Sequence, residues 1–195
     1  MTPDEIVGKV LAARGVARED AVREVLSPRP KLTHDPLLLP DMEAAADFLS
    51  GALRAGRRVC VYGDYDVDGV CGTALLVGFL RAFLRGNMAA PEPRVTYYIP
   101  NRIEEGYGLN RGALDAIRAR GDEVVVTVDC GSVSVAEAAY AKEIGLDIVI
   151  TDHHEMDAGG AAPDCLVVNP KRPGSAYPFA GLCGAAVAFK LCCAM

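Results

Sequence analysis

The sequence has no surplus of basic residues. Its 195 residues include 20 Lys and Arg against 26 Asp and Glu, which gives a formal net charge of −6 at pH 7. Proteins that bind nucleic acid over a whole face collect its phosphates with a basic surplus. A nucleic-acid partner would therefore have to be held by a local site or through metal ions. Charged residues make up 24% and hydrophobic residues 51% of the chain, which excludes a disordered protein.

Signals for export and for membrane insertion are also missing. Acidic residues, Asp4 and Glu5, stand where a secretory signal carries basic residues followed by an apolar stretch. The most apolar stretch, 179–195, is interrupted by Lys190 and is shorter than the roughly 20 residues that a membrane span needs. We therefore expect a cytoplasmic protein with no membrane contact, in which this stretch forms a buried helix.

Cysteine pairs with metal-site spacing are absent. The seven cysteines are odd in number and none belongs to a CxxC pair, which argues against a disulfide framework and against a structural zinc site. We expect reduced cysteines, most of them small residues of the core.

The pattern of apolar residues predicts an α/β protein with a parallel β-sheet flanked by helices. Residues 1–50 read as a separate N-terminal helical segment, and residues 51–195 as the main domain, in which strands and helices alternate. The strands are short, rich in β-branched residues and apolar on both sides, as in a sheet covered by helices. They are predicted at 59–62, 95–99, 124–128, 148–150 and 166–168.

Polar residues follow four of these strands directly. In open α/β sheets, ligands bind beyond the carboxyl ends of the strands, so we expect these side chains to converge on one crevice. They are Asp64, Asp66 and Asp68 after the first strand, Asn101 and Arg102 after the second, Asp129 after the third, and Asp152, His153 and His154 after the fourth.

Carboxylates crowded at one edge need a counter-charge, which divalent cations supply. Oxygen ligands together with imidazole favour Mn²⁺, or Mg²⁺, over a structural zinc ion. Two such ions would activate a water and stabilise the leaving oxygen of a phosphoester. Asp129, alone at the end of its strand, is placed to bridge them.

Each feature also has a simpler explanation. The Asp-rich run beside Gly69 could be a capped turn, and the histidine pair could begin a helix capped by Asp152. Asn101 and Arg102 are explained equally well by an exposed loop. Independent turns, however, give no reason for acids and imidazoles to follow three of the strands with almost no lysine among them.

The same segments resemble the DHH phosphoesterases, in the form of the RecJ-type exonucleases that degrade single-stranded DNA from the 5′ end. The resemblance covers about residues 37–195, with its blocks in the family order. The blocks are 61–69, 98–102, 105–109, 128–131, 151–155 and a later run between 169 and 191.

The resemblance implies a role for each matching residue. Asp66, Asp68, Asp129 and His153 match metal ligands, in sites that hold Mn²⁺ or Mg²⁺, as two ions. His154 matches a residue that faces the scissile phosphate, and Asp64 and Asp152 match acids that orient the ligands or His153. The candidates for substrate contact are Asn101, Arg102, Lys171, Arg172 and Lys190.

The family pattern continues beyond the last residue of this chain. It includes a further aspartate ligand, a connecting helix and a DHH-associated domain that helps to hold single-stranded DNA. We therefore expect a catalytic domain truncated before its last motif, whose partners are single-stranded DNA and the missing C-terminal half of the protein.

Three functions are compatible with these observations. The first is a metal-dependent 5′–3′ exonuclease of single-stranded DNA in repair or recombination. The second is a DHH phosphodiesterase or pyrophosphatase that acts on short oligonucleotides or cyclic dinucleotides. The third is an inactive DHH scaffold or fragment, against which the retained acids and histidines speak.

Overall fold

The computed structural model describes residues 2–26, 33–87, 95–156 and 159–195. The chain forms two compact units, Met1–Asp35 and Pro36–Met195. The first contains helices α1 (Pro3–Ala13) and α2 (Glu19–Val25), neither of which buries a side chain. Helix α1 begins with a capping box, in which Thr2 and Glu5 each accept a hydrogen bond from the other's backbone N–H.

The described part of the second unit contains a five-stranded parallel sheet in the order β2-β1-β3-β4-β5. Its strands lie within a residue or two of the predicted positions, and the α/β prediction is confirmed. Both faces are covered, which is why the strands are apolar on both sides. The strands are β1 (Val59–Gly63), β2 (Val95–Tyr98), β3 (Val124–Val128), β4 (Asp147–Thr151) and β5 (Leu166–Val168).

Helices cover the two faces of the sheet in separate groups. On one face, α3 (Met42–Arg54), α4 (Val67–Asn87) and α7 (Gly184–Ala194) share a core with Val59 and Val61 of β1. Side chains from α5 (Arg111–Ala119) and α6 (Val135–Glu143) form the other core, with the alternate β1 residues Cys60 and Tyr62. A short 3-10 helix, Pro36–Leu38, precedes α3.

Helix α3 belongs with the sheet, although the sequence pattern placed it in the N-terminal segment. It contacts α7 and β5, and Leu49 and Leu53 are fully buried in the shared core. The compact unit therefore begins at Pro36 rather than near residue 51. The proline-rich run before α3 separates the helices in sequence but leaves α3 packed on the domain.

Two apolar helices are partly buried in the core. Within the described residues, α4 is long and apolar enough to cross a membrane by length and composition alone. Core helices pass the same test, and Leu76 and Leu80 of α4 are fully buried. Helix α7 is the buried helix that the apolar stretch predicted.

The prediction that most cysteines belong to the core holds for four of the seven, since Cys165 and Cys192 also pack, partly buried, against the two cores. All seven cysteines are free. Cys60 and Cys130 are buried, but Cys71, Cys183 and Cys193 are exposed. The exposed ones lie on helices or at a helix start, where a small side chain needs no core position.

Candidate metal centre

The candidate site lies at the carboxyl edge of the sheet, where β1 and β3 are neighbours. The chain runs from β1 to β2 on one side of β1 and then crosses to β3 on the other side. Such a change of direction opens a crevice between the loops that follow the two strands. Asp64 follows β1 and Asp129 follows β3, so both acids lie at this crevice.

The loop after β1 places its three acids in different ways. Asp64 is buried, and its Oδ1 accepts no hydrogen bond. The pKa of Asp64 is raised, first by burial. Asp66 is exposed, and its Oδ1 accepts hydrogen bonds at 2.9 Å from the backbone N–H groups of Asp68 and Gly69, in the first turn of α4.

Asp68 reaches across to the start of α7. Its Oδ2 accepts the backbone N–H of Gly184 at 2.7 Å, and its Oδ1 accepts that of Ala185 at 2.8 Å. Burial by itself would raise the pKa of Asp68, but these two hydrogen bonds, together with one from Cys183 and the neighbouring His153, leave the pKa lowered. Asp68 is therefore held ionised beside the crevice.

Asp129 is the least compensated acid of the site. Its side chain is almost fully buried, and its backbone has a φ of 66°, in the left-handed region that few residues other than glycine adopt. Burial, followed by the charges of Asp68 and Asp66, raises the pKa of Asp129 to about 7. His153 Nε2 lies 3.0 Å from its Oδ1, but the two atoms are not aligned as donor and acceptor.

The two histidines have different partners. Nε2 of His153 faces Asp129 and lies 3.7 Å from Oδ2 of Asp68. The Nδ1 of His154 lies 2.7 Å from Oδ1 of Asp152. Burial by itself would lower the pKa of His154, and the hydrogen bond and charge of Asp152 outweigh it, so the pKa is raised.

Asp152 is a buried support for the histidine loop. Its Oδ1 accepts the backbone N–H groups of His153 and His154, and its Oδ2 accepts that of Ser132 at 2.9 Å. Burial by itself would raise its pKa, yet the bonds from Ser132 and from the ring and backbone of His154 leave the pKa lowered. We expected this acid to orient ligands or His153, and the structure pairs it with the ring of His154.

Sequence reasoning missed three residues that hold the site, Tyr107, Ser132 and Asn169. Asn169, which follows β5, is fully buried and donates from Nδ2 to the Ser132 hydroxyl at 2.8 Å and to the His154 carbonyl at 2.9 Å. Tyr107 places its hydroxyl 3.1 Å from Nδ1 of His154. Asn169 could have been found by extending the strand-end rule to β5, and Tyr107 lies in a block that carries the family resemblance.

The acids and histidines form two groups that could each hold a metal ion. One group is Asp64, Asp66 and Asp129, and the other is Asp129, His153 and His154; in each, one ligand atom per residue lies within 4.8 Å of the others. Asp129 belongs to both groups, as a bridging ligand would. Asp68 adds an oxygen close to His153.

These residues fit a divalent cation. The buried Oδ1 atoms of Asp64 and Asp129 accept no hydrogen bond, which leaves negative charge uncompensated. His153 Nε2 and Asp129 Oδ1 approach closely without a hydrogen bond, as two ligands of one ion do. Carboxylate oxygens with imidazole nitrogens are a donor set for Mn²⁺, and for Mg²⁺ where oxygens dominate.

The five candidates for substrate contact differ in their surroundings. Asn101 caps its own loop, since its Oδ1 accepts the backbone N–H of Ile103, and the Arg102 guanidinium lies 5.1 Å from the centre of the Tyr65 ring. Lys171 pairs with Glu155 at 2.9 Å. Arg172 is half-buried and pairs with Asp41, and Lys190 is buried.

Residues 58–195 match the family model described as DHH family, N-terminal domain. The chain belongs to the DHH family. Its fold is also that of solved DHH proteins: a structure of exonuclease RecJ bound to manganese superposes with a TM-score of 0.67 at 37% identity, covering 83% of this chain and 39% of that one. RecJ from Thermus thermophilus in complex with Mn²⁺ gives a TM-score of 0.67 at 31% identity, covering all of this chain and 25% of that one.

Curated relatives of this DHH chain are also named RecJ. It is 40% identical over 187 residues to the single-stranded-DNA-specific exonuclease RecJ of Bacillus subtilis, covering 95% of this chain and 22% of the relative. With RecJ of Escherichia coli it shares 37% identity over 158 residues, covering 80% of this chain and 26% of the relative. The predicted resemblance is confirmed, and the chain spans about a quarter of the length of these relatives.

Proposed function

We propose that this chain is the metal-binding catalytic part of an exonuclease that hydrolyses single-stranded DNA from its 5′ end. The observation that carries the proposal is the uncompensated Asp129, shared by two groups of potential metal ligands. The relatives named as RecJ supply the substrate class and the manganese, both of which we extend to this chain as part of the proposal.

Each side chain has a task in this proposal. Asp66, Asp68, Asp129 and His153 would hold Mn²⁺ or Mg²⁺, and the unpartnered Asp64 oxygen could join them. Bound divalent ions would lower the pKa of water and neutralise charge on a phosphodiester.

His154 would act on the substrate rather than on the metal alone. Its Nδ1 pairs with Asp152 at 2.7 Å, which fixes the ring orientation, so a phosphate oxygen would meet Nε2, beside the Tyr107 hydroxyl at 3.4 Å. Asn169 and Ser132 hold the loop that carries the ring, through the buried hydrogen bonds described above.

The activity on long DNA is proposed for a whole protein of the relatives' size. The aligned part is about a quarter of each relative, so we propose that processive degradation needs a counterpart of the remaining sequence to hold the strand. A cytoplasmic role in DNA repair and recombination completes the proposal.

Hydrolysis assays with this chain and Mn²⁺ test the proposal. The substrates are a 5′-phosphorylated single strand, the matching duplex, a dinucleotide and pyrophosphate. We expect 5′ mononucleotides from the single strand and no product from within the duplex. His153→Ala should lower the rate of hydrolysis by at least about a hundredfold, since a metal ligand is removed. His34→Ala, which changes the exposed histidine of the first unit, is the control and should retain full activity.

The same assays separate the alternatives. Cleavage of dinucleotide or pyrophosphate alone would favour the short-substrate phosphodiesterase. No hydrolysis of any substrate despite Mn²⁺ binding would favour a scaffold, or a chain that needs its counterpart sequence. Hydrolysis that survives His153→Ala would contradict the proposed site.

A further inference from the structure

We propose that the first turn of α7 positions the metal ligands, with Gly184 as the residue that sets their geometry. The backbone N–H groups of Gly184 and Ala185 hold the Asp68 carboxylate, and the missing side chain at Gly184 leaves room for the Asp129 carboxylate. This inference rests on the proposed metal-binding function and adds a positioning element to it.

The first contact of the turn fixes Asp68. Its two oxygens each accept one backbone N–H, from Gly184 at 2.7 Å and from Ala185 at 2.8 Å. A carboxylate has about four lone-pair sites, so each oxygen keeps a further site for another partner. The carboxylate is thereby held in one orientation, in which its Oδ2 lies 3.7 Å from Nε2 of His153.

The second contact confines Asp129. A Cβ atom at Gly184 would lie 2.4 Å from Oδ1, 2.5 Å from Cβ and 2.6 Å from Cγ of Asp129. These distances are far below van der Waals contact, and the Asp129 side chain is buried on a backbone with a φ of 66°. A side chain at Gly184 would therefore displace the carboxylate that belongs to both metal groups.

The helix cannot retreat to make that room. Helix α7 packs closely along α4, and a Cβ at Gly72 of α4 would already lie 2.9 Å from Cα of Ala185. Val187 and Leu191 anchor the next turns in the core with no exposed surface. The start of α7 is thus held in place beside the crevice by its packing.

Backbone conformation does not explain the glycine. Gly184 lies within the first turn of a helix, and it is not among the glycines with positive φ. Alanine has a higher helix propensity than glycine, so local structure would favour alanine at this position. The space occupied by Asp129 is the remaining reason for glycine.

A glycine pair tests the inference. Gly184→Ala adds one methyl group against Asp129, and Gly78→Ala adds the same group to the exposed side of α4, where nothing lies within 4 Å. Mn²⁺ affinity is measured by calorimetry, and folding by circular dichroism and the unfolding temperature without metal. We expect Gly184→Ala to stay folded and to lose about ten- to a hundredfold in Mn²⁺ affinity, and Gly78→Ala to stay within about twofold of wild type.

A second variant tests the hydrogen bonds from α7 to Asp68. It also provides a test if Gly184→Ala does not fold. Ala185→Pro removes the N–H that Asp68 accepts at 2.8 Å and puts a ring carbon in the place of that hydrogen, so the Asp68 carboxylate must also shift. We expect it to lose about three- to tenfold in affinity. A core variant away from the crevice, Leu49→Ala, should lower the unfolding temperature and leave the affinity within about twofold.

The outcomes separate this inference from the proposed function. No Mn²⁺ binding by the wild-type chain would overturn the proposed metal centre and the positioning role with it. Binding by wild type that stays within about twofold in Gly184→Ala, or in Ala185→Pro if Gly184→Ala fails to fold, would overturn the positioning role alone. A loss that tracks the unfolding temperature equally in Leu49→Ala would also overturn it.

Discussion

The two ends of the sheet both bury an aspartate, but they treat its charge differently. At the amino end, Asp122 is fully buried beside two arginines, with Arg120 Nη2 at 3.2 Å and Arg58 Nε at 3.7 Å, and it accepts the Thr96 hydroxyl at 3.1 Å. The Arg120 contact is a charge pair that is not aligned as a hydrogen bond. At the carboxyl end, Asp129 is equally buried, and the His153 ring lies 3.0 Å from it. Burial and the charges of Asp68, Asp66 and Asp152 raise its pKa, and the charge of His154 lowers it without outweighing them.

This difference distinguishes a structural acid from a ligand. A buried carboxylate is tolerated where a fixed cation and hydrogen bonds compensate its charge. Asp122 meets that condition within the protein. The charge of His154 does not outweigh the acids around Asp129, so Asp129 needs a further cation from solution. Burial alone would therefore have indicated a metal ligand at both residues. The surrounding charges show which of the two is the candidate ligand.

The largest expected effect comes from removing the uncompensated charge. Asp129→Asn should weaken Mn²⁺ binding by at least about a thousandfold, which corresponds to about 4 kcal/mol, because a potential ligand of both metal groups is replaced by a neutral amide. Calorimetric titration measures the affinity. Asp122→Asn is the matched control at the other end of the sheet and should bind Mn²⁺ like wild type. Equal losses in the two variants would break the distinction.

The sheet and its functional edge could be predicted from the sequence because both depend on local patterns. Short apolar strands and the acids that follow them have fixed spacings, and parallel strands bring those acids together. The hydrogen bond from Gly184 of α7 to Asp68 could not be predicted, since it joins residues 116 positions apart through tertiary packing. The burial of Lys190 could not be predicted for the same reason, because the packing of α7 decides which of its side chains are buried.

A second expected effect concerns pH in the absence of metal. The pKa of Asp129 is raised from 3.8 to about 7, so its contribution to stability is present below about pH 4 and is lost as the pH rises through 7. The opposite shifts of Asp68 and Asp152 stabilise the chain at higher pH. The difference in free energy of unfolding between wild type and Asp129→Asn isolates the first contribution.

That difference should change by on the order of 3 kcal/mol between about pH 4 and pH 8, in the direction that disfavours wild type at high pH. Urea denaturation with a chelator present measures it. Saturating Mn²⁺ should reverse the trend for wild type, because the bound cation stabilises the ionised carboxylate. A difference that stays constant across this range would contradict a raised pKa for Asp129.

The smallest expected effect lies at the compensated end. Asp122→Asn removes the charge that faces Arg58 and Arg120 but can keep the hydrogen bond from Thr96. Breaking a fully buried ion pair costs about 3–5 kcal/mol because the remaining charge is stranded. Here the arginine side chains are 37% and 41% exposed, so water can solvate them, and we expect a loss of about 1–2 kcal/mol in the free energy of unfolding by urea denaturation. Without metal near pH 8, we expect the free energy of unfolding to fall in Asp122→Asn and to rise in Asp129→Asn. That result would show that charge compensation, rather than burial, separates the two ends of the sheet. A rise in both variants would refute it.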